Sequence, residues 1–412
     1  METCRQKASI RPIAEKQSSD ESSDSEDQSS NVNNAENFDD FSENEKSNRQ
    51  SIAQLRLSTF DVWQYEHKQL IQYIIAMFKD LHILDALGIT VSRLRDWLLA
   101  VEQNYRNVQF HNFRHAFCVT QMMYFMVCEL NLLQKMSTLQ IGILLVACIC
   151  HDLDHPGLSN LYHQKAHTEL SVLYKNKSVL EHHHCAIAFQ ILAVNDLNIF
   201  LNLSKGQFSE ASHIIIQLIL ATDMAIHNQI CDQFNVIVKS GFNISDPEHM
   251  MSLQKILIKC CDISNEVRPL SYSEPWVDFL FEEFFSQADR ERREGLSVAN
   301  FMKRSQVHKA ADQLKFIRGI ILPLFTCLGK VFPDVNTKIL HSLQQSIQYY
   351  EKMSTFDADE TKDAPPANAT AKKGVQEDAR NKSGNLTLSS VLTIPKIVVT
   401  QHGSANNRKI MH

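Results

Sequence analysis

The ten residues from Ile141 to Cys150 contain no charged or amide side chain, and His151-Asp152-Leu153-Asp154-His155 follows them directly. As a helix, such a run is apolar on every side and has to be buried all round. Its end therefore carries a histidine and a carboxylate into or beside a core. A buried carboxylate is tolerated when it is protonated, paired or bound to a metal. A chain with this junction needs a core large enough to enclose a whole helix, with a polar pocket at its end. The run is too short for a membrane span, which takes about 18 or more apolar residues.

The surrounding sequence supplies such a core from helices. Leu70, Ile74, Ile75, Met77 and Phe78 recur at helical spacing. Ser245-Asp246-Pro247-Glu248 reads as a helix start, and Leu253, Ile256, Leu257 and Cys260 would share one face of that helix. No alternating strand pattern and no repeat of 20–50 residues is present. The expectation is an all-α fold with one compact multi-helix domain over residues 51–355. Residues 1–50 and 356–412 read as disordered tails, since neither holds enough large apolar side chains to offset the entropy of ordering. Ser19, Ser22, Ser23 and Ser25 lie among acids in the first tail, a setting suited to phosphorylation by acid-directed kinases.

Charge and cysteine usage narrow the function classes. The formal net charge is -6. Residues 1–50 hold 12 acids and 6 bases, which leaves 35 of each sign in the remainder. A body without basic excess argues against a nucleic-acid binder. The N-terminus has no apolar signal region, and the ten cysteines form no CxxC pair and sit mostly in apolar runs. These features predict a reduced, intracellular, cytoplasmic protein with no membrane span.

Histidine carries the chemical signal: 11 of the 18 fall between His111 and His227. His111-Asn112-Phe113-Arg114-His115 would set two imidazoles four residues apart on one helix face. Asp262 ends a second apolar run, Leu257-Ile258-Lys259-Cys260-Cys261. Glu181-His182-His183-His184 and Thr222-Asp223-Met224, with His227 beyond, complete the set. Each cluster alone has a plain structural reading, such as a capping Asp beside a core histidine. Together they predict a polar, metal-loaded pocket in a helical core, because neutral imidazole and carboxylate suit zinc and a harder partner ion.

The order HNxxH, HDxDH, ExHH, TDM, DxSN and a distal Gln-x-x-Phe resembles the catalytic domain of class I 3',5'-cyclic nucleotide phosphodiesterases, with an HD-type fold. The phrases Leu257 to Pro269 and Glu274-Pro275-Trp276-Val277-Asp278 are most similar to the cGMP-specific subfamily nine. The resemblance spans about residues 55–350 and leaves both tails out. It implies a tight zinc held by His115, His151, Asp152 and Asp262. A second ion, Mg²⁺ or Mn²⁺, would share Asp152 and otherwise be held through waters by His155, Glu181 and Thr222. Two such metals would activate a bridging water for attack on phosphorus. His111 would protonate the leaving 3' oxygen, with Glu181 as the partner that keeps it charged. Gln313 would bond the purine edge, Phe316 would stack on the ring and Leu280 would face it from the other side. Met224, Ile263, Asn265 and Phe301 would complete the pocket. The implied ligand is a small cyclic nucleotide, and a homodimer is left open.

Three positions depart from the subfamily pattern: Phe284 stands in place of a tyrosine, Asp312 in place of a small residue and His182 in place of an asparagine. Three other readings compete with cGMP hydrolysis: a cAMP or dual-specific phosphodiesterase, an HD-type metal-dependent phosphohydrolase acting on another nucleotide, and a non-catalytic nucleotide sensor or scaffold. Gln313→Ala separates the hydrolases: it should leave turnover of a phosphomonoester or triphosphate intact and raise KM for a purine cyclic nucleotide. Steady-state kinetics on both substrate types decides between them.

Overall fold

The computed structural model describes residues 45–363, and every element among them is helical. In order these are Glu45–Leu55 (α1), His67–Asp80 (α2), Ile83–Leu87 (α3), Val91–Asn104 (α4), Phe113–Glu129 (α5) and Thr138–Cys150 (α6). Next come Asn160–Lys165 (α7), Glu169–Leu173 (α8), Val179–Leu192 (α9), Lys205–Ala221 (α10), His227–Gly241 (α11) and Pro247–Asp262 (α12). The last are Leu270–Arg293 (α13), Lys309–Phe316 (α14), Leu322–Gly329 (α15), Asp334–Lys338 (α16) and Leu340–Asp363 (α17). A π-helical turn, Ile317–Ile321, joins α14 to α15.

The apolar run is the central helix, α6. Ser137 caps its start by accepting from the Gln140 N–H, and Gln140 returns the contact to the Ser137 N–H. Every residue from Ile141 to Cys150 is buried. Helices α5, α10 and α12 pack around it. Helix α12 begins as the sequence predicts: Asp246 caps it by accepting from the Glu248 and His249 N–H groups, and Pro247 occupies the first turn. The ends of α6 and α12 are His151-Asp152 and Asp262.

The first and last described helices run past residues 51 and 355. Helix α1 starts at Glu45 because its later turns dock: Leu55 is buried, and its carbonyl accepts from Gln121 Nε2 at 2.8 Å. Helix α17 continues to Asp363 and packs against α14; its Ser346 and Tyr350 are buried. The expectations for residues 1–44 and 364–412, including the four acid-flanked serines, lie outside the described residues. No single helix among the described residues is long and apolar enough to cross a membrane.

Gly142 marks how tightly the central helix is enclosed. A Cβ added there would lie 2.9 Å from Ile83 Cγ2 on α3. Gly142→Ala should therefore cost about 1–3 kcal/mol of stability through overpacking. In urea unfolding, combining it with Ile83→Val should cost less than the sum of the two single changes.

Candidate functional site

Capping decides where the histidines point. Asn112 Oδ1 accepts from the N–H groups of Arg114 (3.0 Å) and His115 (3.2 Å), so α5 starts at Phe113. His115 falls in the first turn and His111 stays outside the helix. The two rings do not share a helix face as the spacing suggested; they meet edge to face, 5.9 Å apart. At the end of α6, Tyr105 Oη donates to the Ile149 carbonyl (2.9 Å) and accepts from the Asp152 N–H (3.3 Å). Asp154, held in the left-handed region at φ 59°, takes both arms of Arg106 (2.7 and 2.9 Å) and a contact from His183 Nε2 at 2.8 Å. These contacts fix the loop that carries His151, Asp152 and His155.

Four predicted ligands converge. His115 Nε2 lies 3.3 Å from Asp262 Oδ1, 3.5 Å from Asp152 Oδ2 and 3.3 Å from His151 Nε2. His151 Nε2 lies 3.0 Å from Asp152 Oδ2 and 3.2 Å from Asp262 Oδ1. A tetrahedral zinc with ligands at about 2.0–2.1 Å has donor separations of about 3.3–3.4 Å, so the set fits that ion. The protonation pattern agrees. His151 Nδ1 lies 2.9 Å from the Cys148 carbonyl and donates to it, which turns Nε2 toward the two carboxylates. Burial opposes a charged ring, yet without a metal those carboxylates raise the His151 pKa well above the ordinary imidazole value, and a bound cation would replace that proton. A lone pair and two carboxylate oxygens face one another stably only with a cation or proton among them. Burial opposes ionisation of Asp152 and Asp262, yet the imidazoles outweigh it and hold both below the usual carboxylate range.

His111 sits beside this centre with an unexpected partner. Its Nδ1 is hydrogen-bonded to Glu283 Oε1. Glu283 Oε2 also accepts from the N–H groups of Phe110 (2.9 Å) and His111 (3.3 Å). Burial works against the charged ring, but Glu283 prevails and raises the His111 pKa to about 9. The expected partner, Glu181, is elsewhere. It accepts from Asn160 Nδ2 at 2.9 and 3.2 Å, and burial together with Asp223 raises its own pKa to about 8. Its carboxylate is engaged by Asn160, and α13 rather than α9 brings an anion to the Phe110–His111 peptide. Glu283 was legible in principle, because it lies on the same face of α13 as Trp276, Leu280 and Gln287.

His155 stacks on His111 with ring centroids 4.1 Å apart, and its Nδ1 accepts from the Gly157 N–H at 3.0 Å. Burial and the His111 cation keep it neutral. His184 stacks on His155 at 5.7 Å. Its Nδ1 bonds the Leu153 carbonyl at 2.6 Å, so its Nε2 lone pair faces Asp152 Oδ1 across 3.7 Å, a gap suited to bridging water. Thr222 ends α10, with its hydroxyl donating to the Ile219 carbonyl at 2.7 Å. His182 Nδ1 bonds the Ser178 carbonyl, so this departure is a local turn contact.

Glu266, four residues beyond Asp262, meets one of the predicted base-binding residues. Gln313, buried on α14, donates from Nε2 to Glu266 Oε1 at 2.8 Å. Burial raises the Glu266 pKa to about 8, against the effect of Gln313. Phe316 lies one turn on, just before the π-helical turn, a distortion often found at functional sites. Ile263 precedes the short segment Ser264–Val267, which holds both Asn265 and Glu266. Met224 Sδ approaches Lys259 Nζ at 3.9 Å. Leu280 is half-buried against the main core, whereas Phe301 belongs to a smaller cluster with Ala288, Ala299 and Met302. Phe284 packs edge to face on Phe301 at 5.6 Å, with no polar partner required. Asp312 accepts from the His308 N–H (3.2 Å) and from Lys315 Nζ (3.0 Å), which occupies its charge at the start of α14.

Comparison with known proteins places this geometry. A family model described as 3'5'-cyclic nucleotide phosphodiesterase matches residues 110–342. The chain is 47% identical over 334 residues to the mouse high affinity cGMP-specific 3',5'-cyclic phosphodiesterase 9A, covering 81% of this chain and 62% of that protein. It is 43% identical over 319 residues to the Drosophila melanogaster protein of the same description, covering 77% of this chain and 21% of that one. The chain thus spans less than two thirds of the length of these curated relatives. Among solved structures, the phosphodiesterase domain of the Salpingoeca rosetta rhodopsin phosphodiesterase superposes with a TM-score of 0.72 at 25% identity, covering 76% of this chain and 96% of that one.

The His111–Glu283 pair yields a pH prediction. The raised folded-state value means the ring stays protonated through neutral pH and discharges only as pH rises through about 9. In Glu283→Gln the anion is gone while burial persists, so discharge should move to lower pH, toward or below the ordinary imidazole value. NMR titration of the His111 ring in both proteins measures the shift.

Proposed function

The chain belongs to the 3'5'-cyclic nucleotide phosphodiesterase family, and on that premise we propose that it hydrolyses the 3' phosphoester of cGMP, in preference to cAMP, to the 5'-monophosphate. The observation that carries this reading is a four-donor tetrahedral set with a protonated imidazole beside it. His115, His151, Asp152 and Asp262 would hold Zn²⁺. The Asp152 side, with His155, His184, Glu181 and Thr222 around it, would hold hydrated Mg²⁺ or Mn²⁺. Bound there, the ions supply Lewis acidity toward the phosphate and a water ionised near neutral pH.

The chain's own groups do the rest. His111 donates its proton to the departing 3' oxygen, and Glu283 keeps that proton available at neutral pH. Gln313 reads the base. Its Nε2 is committed to Glu266, so Oε1 is turned to accept from guanine N1–H, while the second Nε2–H can meet O6. Adenine presents an acceptor at N1 and would face that oxygen lone pair. Phe316 and Leu280 would clamp the ring faces. With Asp312 engaged by His308 and Lys315, no extra charge reaches the base site. The nine free cysteines among the described residues support action in a reducing, cytoplasmic setting.

Incubation of the full chain with cGMP and cAMP in Mn²⁺ or Mg²⁺ tests the reading. The expected result is 5'-GMP formation at a higher kcat/KM than 5'-AMP, abolished by chelator. His111→Ala should lower kcat by about 10²–10⁴-fold while metal content and cGMP binding persist. No 5'-monophosphate from either nucleotide would overturn the proposal.

A further inference from the structure

The turn leading into α9 is held in an unfavourable backbone conformation. Lys175, Asn176 and Ser178 all lie in the left-handed region, at φ 54°, 59° and 38°. Asparagine tolerates this region; lysine and serine adopt it at a cost. Such conformations persist where the surroundings over-determine them, and they cluster at functional sites. Here the turn is pinned from several sides. The Asn176 N–H donates to the Ser171 carbonyl at 2.9 Å, and the Lys177 N–H to the Tyr174 carbonyl at 3.1 Å. His182 reaches the Ser178 carbonyl through its backbone N–H (3.0 Å) and Nδ1 (2.9 Å). The His182 ring also stacks on Tyr174 at 5.4 Å.

What this conformation achieves is visible at the Ser178 hydroxyl. Ser178 Oγ donates to Asp223 Oδ2 at 2.8 Å, across 45 residues of sequence. The other oxygen, Asp223 Oδ1, accepts from the Ala225 N–H at 2.8 Å. Asp223 is buried, so its carboxylate is fixed from both sides. It is the charged group that acts most strongly on Glu181, one turn along α9 from Ser178 itself. One short turn thus sets the spacing between two acids from separate segments, and the Glu181 carboxyl is near enough to Asp152 to feel its charge.

We propose that Ser178 is a positioning residue: through Asp223 it holds the acidic wall formed with Glu181, and so sets the affinity for the second, hydrated divalent ion. The inference rests on the functional reading above for the existence of that ion. Ser178 touches neither substrate nor the four-donor set. Its hydroxyl acts by orienting an anion that holds metal-bound water, where loss of an outer partner typically weakens binding about 10- to 100-fold.

Two variants separate the hydroxyl from the backbone. Ser178→Ala removes the donor and keeps the strain; Ser178→Gly removes the donor and relieves the strain. The full chain loaded with one equivalent of Zn²⁺ is titrated with Mn²⁺, and free Mn²⁺ is followed by electron paramagnetic resonance. Both variants should bind Mn²⁺ about 10- to 100-fold more weakly than the unsubstituted chain. The Mn²⁺ activation constant for cGMP turnover should rise in parallel, with kcat at saturating Mn²⁺ retained. Ser178→Gly should melt above Ser178→Ala and yet bind Mn²⁺ no better. Unchanged Mn²⁺ affinity in either variant overturns the proposal. The binding titration needs no nucleotide, so absence of hydrolysis would fail the functional reading and leave this comparison decisive.

Discussion

Burying Asp152 and Asp262 is the constraint around which this domain is arranged. Each carboxylate stands at the end of an apolar helix, and desolvating each costs several kcal/mol unless opposite charge is supplied. His115 and His151 supply part of it, and the donor spacing leaves the remainder to a cation. The packing of α5, α6 and α12 is therefore tied to the chemistry. Those three helices meet where their ends contribute His115, His151-Asp152 and Asp262. A bound cation would contribute to folding as well as to catalysis, since ligands scattered over some 150 residues converge only in the native state.

Around that centre, burial alone does not decide which acids are charged; the neighbour does. Glu283, Glu181 and Glu266 are all buried. Glu283 faces the His111 cation and two backbone N–H groups, and its pKa falls. Glu181 faces Asp223, and Glu266 faces the neutral amide of Gln313; both rise to about 8. On the proposed function these differences would divide the roles: the ionised carboxylate stands where a proton would be retained for donation, and the acids with raised values stand where water or an amide would be oriented and a full charge would compete with an anionic phosphate.

Much of this was legible because the signals were local. The Ile141–Cys150 run required an enclosed helix, the Asp246-Pro247 start predicted α12, and the four convergent donors stood at helix ends that hydropathy marks. Two things were hidden because they depend on helix geometry and tertiary packing. The HxxxH spacing suggested one helix face, but Asn112 spends its side chain on capping, and His111 is left outside. The His111 partner was expected to be Glu181, whose motif is conspicuous, whereas Glu283 sits in a long amphipathic helix where an acid ordinarily faces solvent. Only its position on the Trp276–Leu280–Gln287 face distinguishes it from its neighbour Glu282, which pairs with Arg304 at the surface. Helices α1 and α17 run past residues 51 and 355 for a related reason: composition near a chain's polar segments says little about which last few apolar residues find a core.

The four-donor set and the Gln313 amide are joined by one short stretch of backbone. Asp262 ends α12, and Glu266 comes next within the 3₁₀ turn Ser264–Val267. Glu266 orients the Gln313 amide, while its own carbonyl accepts from Ser346 Oγ on α17 at 3.2 Å. The departures at Phe284 and Asp312 are absorbed locally, by ring packing and by helix-start contacts. On the proposed function, base discrimination would come down to which end of one amide faces the ligand. That choice would be made by a buried acid that need not touch the ligand, and α17 holds its backbone in place. The last described helix would thus support the residue that sets the preference for guanine.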